Sequence, residues 1–72
     1  MKKKDNSTAI KTAYNAIFEG IIQRTYLPGY HLREEVFSEI LNISRTPVRQ
    51  AIRQLAAEGL VDIKENRRSY VK

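Results

Sequence analysis

The segment at residues 42–53 is the most informative part of this chain, because it places a helix-start signal directly before a series of arginines. Ser44 and Thr46 can each cap a helix by accepting a hydrogen bond from a backbone N–H of its first turn. Pro47 favours Thr46 as the cap, because proline restricts the preceding residue to extended geometry and is common at the first helical position. Ser44 is the alternative if the helix begins earlier. The helix is predicted to run to Glu58 and to stop at Gly59 in a left-handed conformation.

The helix that starts at this signal has two chemically different faces. At about 100° per residue, its arginines recur on the side opposite its apolar residues. Arginine has a planar fork that bonds two acceptors on a guanine edge or two oxygens of a phosphate, which lysine cannot do. An ordinary solvated helix face is the alternative interpretation. The apolar face comprises Val48, Ala51, Ile52 and Leu55, and the opposite face comprises Thr46, Arg49, Gln50 and Arg53, with Arg45 at its flank.

Two further helices are predicted before this one. Apolar residues recur at helical spacing between about Thr8 and Arg24, which indicates an amphipathic first helix. A turn at Pro28 and Gly29 and a short extended segment at residues 31–33 follow. The apolar side of the second helix is expected to comprise Val36, Phe37, Ile40 and Leu41.

The second helix is predicted to start at Glu34 and Glu35, whose charges favour the exposed N–H groups of a helix start. It is predicted to end at Asn42, a residue that tolerates left-handed geometry. About three to four residues then connect it to the arginine-bearing helix, which is typical of a helix-turn-helix unit.

Residues 60–64 and 69–71 have the composition of strands and flank a polar tip at residues 65–68. Three helices followed by a two-stranded hairpin make a mainly α fold, the winged helix-turn-helix. Arg67 and Arg68 at the tip are expected to enter a minor groove or to lie along phosphates, and a solvated turn is the alternative.

The composition excludes several classes of protein. The chain has 72 residues, a net charge of +5, one histidine and no cysteine, so it is one small domain without disulfides or thiolate metal sites. His31 has no partner in a nucleophile–base or metal-ligand pattern, so we expect no enzyme activity, no cofactor and no metal. No apolar run approaches the roughly 20 residues of a membrane span, and no secretory signal is present, which favours a cytoplasmic protein.

The distribution of charge favours a polyanionic partner. Residues 45–72 carry seven cations and three anions, whereas the second helix is acidic. Residues 1–7 are lysine-rich without periodicity and are predicted to form a flexible basic arm ahead of a domain at residues 8–72; a solubilising tail is the alternative. Sequence-specific binding of double-stranded DNA is therefore the leading hypothesis. A winged-helix module that binds an acidic protein partner, or DNA without sequence preference, is the alternative.

Taken together, these motifs resemble the N-terminal DNA-binding domain of the GntR family of bacterial transcription regulators, in the subfamily with an all-helical ligand-binding C-terminal domain. The resemblance extends from about Thr8 to Val71. It rests on Pro28 and Gly29 followed by Leu32, on residues 41–52 (LNISRTPVRQAI), on Leu55, and on residues 58–61 (EGLV). Several ordered motifs at fitting spacing are more specific than one short pattern.

The resemblance implies roles for individual residues. Arg45 and Arg49 would contact base edges, Ser44 and Thr46 would position phosphates, and Arg53 and Arg33 would contact further phosphates. Some family members carry another reading arginine in the first turn of the second helix, where this chain has Glu35, so that contact is expected to be absent. Two positions where the family often has glycine, before the Pro-Gly turn and at the wing tip, are Arg24 and Arg68 here.

The resemblance also implies partners. The chain would read a near-palindromic operator, more often as part of a repressor, and the full-length protein would be a homodimer, whereas this chain alone would associate weakly or stay monomeric. A small-molecule effector would bind only through a C-terminal domain that is absent from this chain.

Overall fold

The computed structural model describes residues 6–72, which form three helices and a small antiparallel sheet. The predicted winged helix-turn-helix is confirmed. The first helix begins two residues earlier than expected, and residues 1–5 of the predicted basic arm lie outside the described part of the chain. The elements are α1 (Asn6–Ile22), β1 (His31–Leu32), α2 (Glu34–Leu41), α3 (Arg45–Ala57), β2 (Val61–Ile63) and β3 (Ser69–Val71).

The core lies between α1 and α3, with α2 and the sheet closing its sides. The apolar stripe predicted for α3 is confirmed, because Val48, Ala51 and Leu55 are fully buried and Ile52 is almost so. They meet Ala13 and Ile17 of α1, which are also inaccessible to solvent. Burial of this stripe forces the opposite face of α3 outward.

The start of α3 differs from the favoured prediction. Ser44 is the N-cap, with extended backbone angles (φ −73°, ψ 168°), and Thr46 already lies in the helix. Pro47 is the third helical residue and is fully buried. Proline loses no hydrogen bond there, since the first N–H groups of a helix have no partner within it. Packing of Pro47 and Val48 thus outweighs the extended preference of the residue before proline. Gly59 ends the helix as predicted, with φ 86°.

The turn between α2 and α3 is fixed by hydrogen bonds to its backbone. Asn42 adopts the predicted left-handed conformation, with φ 58°. The Ser38 hydroxyl donates to the Ile43 carbonyl oxygen at 2.6 Å, and the Ile43 N–H donates back to the Ser38 carbonyl at 3.1 Å. These bonds set the position of α2 relative to the first turn of α3.

The predicted two-stranded hairpin is part of a three-stranded sheet in the order β1-β3-β2. His31 pairs with Tyr70, and their rings stack with centroids 4.9 Å apart. Leu32 beside it is buried in the core. The short extended segment before α2 therefore joins the wing to the helix-turn-helix unit.

The apolar side predicted for α2 is wrong in part. Phe37 is buried and Leu41 is partly buried, but Val36 and Ile40 are 38% and 68% exposed. A helix of eight residues covers the core with a narrow stripe, and these two side chains lie outside it. Among residues 6–72, no helix is long and apolar enough to cross a membrane.

Candidate nucleic-acid interface

The outward face of α3 carries the side chains that the sequence predicted for it. Arg45, Thr46, Arg49 and Arg53 are all exposed. Ser44 precedes them at the N-cap, and within the described residues its hydroxyl makes no capping hydrogen bond. The first N–H groups of α3 are thus left for an external acceptor, and the end of a helix where they lie favours negative charge.

Two open clefts bring the wing and α2 next to this face. The first is lined by Arg45 of α3 together with the wing residues Arg67 and Arg68, and the second is lined by Arg49 and Arg53 together with Arg67. Arg67 therefore borders both clefts. The full lining of the first is His31, Leu32, Arg33, Glu34, Glu35, Arg45, Arg67, Arg68 and Ser69, and that of the second is Glu34, Arg49, Ile52, Arg53, Ile63, Arg67 and Ser69.

All six arginines predicted for the site border one or both clefts. Ser44 and Thr46 are not among the lining residues and lie beside the clefts, at the start of α3. The surface that we call the arginine face consists of these six arginines: Arg33, Arg45, Arg49, Arg53, Arg67 and Arg68.

Two carboxylates of α2 contact the arginine face, and sequence reasoning did not foresee either contact. Glu34 accepts two hydrogen bonds from Arg49, from Nε to Oε2 and from Nη2 to Oε1, each 3.1 Å long. Glu35 lies farther from Arg45, with 3.9 Å between Oε1 and Nη2. The hydrogen bonds to Glu34 raise the pKa of the Arg49 guanidinium above its usual value, so Arg49 stays charged. The sequence indicated these acids only as a helix start.

The wing tip has a defined backbone. The Arg67 N–H donates to the Lys64 carbonyl at 2.8 Å, and the Asn66 side-chain oxygen accepts from the Arg68 N–H at 3.0 Å. Arg67 has a φ of 68°, so the left-handed residue of the wing is Arg67 and not Arg68, the position that the family resemblance indicated. Lys64 forms a 2.9 Å ion pair with Asp62, which lowers the pKa of that carboxyl.

The chemistry of this surface suits an extended anion. Among residues 6–72, no group of three or more histidine, cysteine, aspartate or glutamate residues is placed to hold a metal ion. The arginine face offers exposed guanidinium donors on α3 and on the tip of the neighbouring hairpin. The major groove of B-DNA, about 12 Å wide, admits one α-helix, and its base edges present the paired acceptors that guanidinium groups bond.

Comparison with known proteins identifies relatives by sequence. The profile of the gntR family, described as bacterial regulatory proteins, matches residues 9–71. The HTH-type transcriptional repressor RspR of Escherichia coli (strain K12) is 40% identical over 58 residues, which cover 81% of this chain and 25% of RspR. The chain thus spans about a quarter of the length of that relative.

Two solved structures share the fold. The structure of Lar, described as controlling the expression of the Listeria monocytogenes agr system, superposes with a TM-score of 0.82 at 33% identity over 100% of this chain and 32% of Lar. A transcriptional regulator from Pseudomonas syringae pv. tomato str. DC3000, a GntR family member, gives a TM-score of 0.81 at 26% identity over 97% of this chain and 30% of that protein. Since the family profile covers nearly every described residue and RspR is 40% identical over 81% of the chain, the chain belongs to the gntR family of bacterial regulatory proteins.

Proposed function

We propose that this chain is the operator-reading domain of a bacterial transcription regulator, with α3 in the major groove of double-stranded DNA. The observation that carries the proposal is the convergence of arginines from α3, from the wing and from the start of α2 on one face. The opposite side of α3 is packed against α1 and is unavailable for binding.

Individual roles follow from position on this face. Arg45 and Arg49 lie on the first two turns of α3, the part of a recognition helix that contacts base edges. The hydroxyls of Ser44 and Thr46 and the free N–H groups beside them would hold a phosphate at the helix start. Arg53, one turn beyond Arg49, would contact a further phosphate.

Arg33, Arg67 and Arg68, which also line the clefts, would contact the DNA backbone. Arg33 is exposed directly before α2, and Arg67 and Arg68 are exposed at the wing tip. A hairpin beside a recognition helix can enter the adjacent minor groove or follow its phosphates.

We further propose that the regulator acts as a homodimer on a near-palindromic operator and represses transcription. Its similarity to RspR, which is named a repressor, supports the direction of regulation. Two copies on two half-sites would add contacts that a single copy lacks, so this chain alone should bind weakly.

The salt dependence of DNA binding tests the proposal. Each phosphate neutralised by the protein contributes about −0.9 to the slope of log affinity against log salt concentration. Several phosphate contacts therefore predict a steep slope, and a flat response between low and moderate salt would contradict the proposal. Arg49→Lys keeps the charge but cannot form the two parallel bonds of arginine, so it should reduce selectivity among DNA sequences more than it reduces overall affinity.

A further inference from the structure

We infer that Glu34 is a positioning residue, which orients the Arg49 guanidinium so that the edge formed by Nη1 and Nη2 stays available for guanine, and which thereby increases selectivity for guanine. This inference rests on the proposed function, because it assigns a role within the same DNA-reading face. It concerns how one arginine is oriented before DNA arrives.

The geometry of the pair leaves the edge of the Arg49 guanidinium formed by Nη1 and Nη2 free of bonds to Glu34. Glu34 bonds Nε–H and one Nη2–H, which together form the lateral edge of the guanidinium. Arginine has five N–H donors, so both Nη1–H groups and the second Nη2–H remain. One donor from each Nη forms the end edge, and that edge presents the two parallel N–H groups that match O6 and N7 of guanine. Glu34 and guanine can therefore bond Arg49 at the same time.

Glu34 is itself held in place. It is the first residue of α2, and Phe37 one turn later is buried in the core. The Phe37 N–H donates to the Arg33 carbonyl at 3.3 Å, which closes that first turn. The Glu34 side chain is 26% exposed, compared with 45% for Arg49. The carboxylate is thus the more buried partner of the pair.

Glu35 provides the contrast within the same turn. The side chains of Glu35 and Arg45 are each nearly 60% exposed, and the 3.9 Å between Oε1 and Nη2 exceeds hydrogen-bond range. Glu35 therefore contributes negative charge near Arg45 without fixing its orientation. The two glutamates carry the same charge and lie in the same first turn of α2, but they differ in their geometry toward arginine.

Two effects of opposite sign follow for the loss of Glu34. Removing a carboxylate close to the DNA phosphates should strengthen binding to every duplex, because one source of repulsion disappears. Without Glu34, the Arg49 side chain regains rotamer freedom, which it must lose again when it binds guanine. Ordering one such side chain on binding lowers the affinity for the guanine-bearing site about three- to tenfold. Affinity for duplexes without the guanine should therefore rise, while the preference for guanine falls.

The test compares Glu34→Gln, Glu34→Asp and the matched control Glu35→Gln in the full 72-residue chain. Dissociation constants are measured on a duplex carrying the preferred site and on duplexes with one base pair changed at a time. Glutamine keeps the shape of Glu34 but directs an N–H₂ group at an arginine donor. Aspartate keeps the charge but is one methylene too short to bond both nitrogens from the same backbone position.

Glu35→Gln is expected to bind all duplexes more tightly, and Glu34→Gln is expected to bind more tightly those duplexes that lack the guanine contacted by Arg49. Glu34→Gln and Glu34→Asp should lose about three- to tenfold of the preference for guanine at the base pair mapped by Arg49→Ala. Glu35→Gln should retain that preference. In an Arg49→Ala background, Glu34→Gln should change binding no more than Glu35→Gln does, because its effect on selectivity acts through Arg49.

Other results would overturn the inference. If Glu34→Gln and Glu34→Asp keep the full guanine preference, Glu34 acts through its charge alone. If Glu34→Gln strengthens binding to the preferred site more than to the others, the carboxylate competes with DNA for Arg49. If the wild-type chain binds DNA with no base preference, the proposed function fails and this inference fails with it. Thermal unfolding of each variant ensures that folded proteins are compared.

Discussion

Replacing Gly20 by alanine should destabilise the domain, although the same exchange within a helix ordinarily stabilises it. Gly20 lies in the last turns of α1 and is buried. A methyl group added there would overlap the ring of Tyr26. The Tyr26 N–H also donates to the Gly20 carbonyl at 3.0 Å, which holds the backbone of Tyr26 next to Gly20. The alanine and the tyrosine ring cannot both keep their places.

The sign of the effect depends on three magnitudes. Alanine in place of glycine gains about 1 kcal/mol of helix propensity. Overpacking a filled site costs about 1–3 kcal/mol. Displacing the Tyr26 ring also disturbs its stacking on Tyr30, with centroids 4.8 Å apart, and its edge contact with Phe37 at 5.6 Å. Such aromatic pairs contribute about 0.5–1.5 kcal/mol each. The net loss expected for Gly20→Ala is about 1–5 kcal/mol.

Urea unfolding, followed by circular dichroism, gives the free energies for a double-mutant cycle of Gly20→Ala and Tyr26→Ala. In the wild-type background, Gly20→Ala should lower the free energy of unfolding. In the Tyr26→Ala background it should raise that free energy, because the ring is gone and only the helix propensity remains. Stabilisation by Gly20→Ala in both backgrounds would refute the steric reasoning.

Three other changes have expected outcomes in the same assays. Arg24→Gly should raise the free energy of unfolding by about 0.5–1 kcal/mol, because Arg24 has a φ of 64° and left-handed geometry costs other residues more than glycine; an unchanged urea midpoint would contradict this. Leu55→Ala should cost about 2–5 kcal/mol, since Leu55 is fully buried, and a loss below 1 kcal/mol would contradict the core assignment. The Tyr14 hydroxyl donates to Glu58 at 2.5 Å, and this hydrogen bond raises the pKa of Tyr14 above its usual value of 10.0. The stability that the bond contributes is therefore present below about pH 10 and is lost as the pH rises through the folded-state pKa of Tyr14. Tyr14→Phe should reduce this alkaline loss, and an identical pH profile for both proteins would contradict the assignment.

Local signals in the sequence predicted most of the helical unit. Helical periodicity identified the buried stripe of α3, and the two residues able to adopt left-handed geometry, Asn42 and Gly59, mark the ends of α2 and α3 as predicted. These features depend on side chains close together in the sequence. The choice between Ser44 and Thr46 as N-cap depended on how Pro47 packs, and the preference of proline alone favoured the wrong residue.

The remaining features depend on contacts distant in sequence. A two-residue strand has no periodicity, so the pairing of His31 with Tyr70 was visible only in three dimensions. The bidentate contact between Glu34 and Arg49 joins residues 15 apart on two helices. Sequence reasoning placed Arg49 on an exposed face and Glu34 at a helix start, and both placements are confirmed. Their contact required the geometry of the turn between them.

The most direct test of the proposed function is selection from a randomised pool of duplex DNA. The wild-type chain and an Arg45→Ala, Arg49→Ala double variant, each presented as a forced dimer, would be compared at moderate salt. Reading by α3 predicts that the wild type enriches a near-palindromic motif and that the double variant loses it. Salt-sensitive binding by both proteins without an enriched motif would contradict sequence reading and would indicate a general affinity for polyanions.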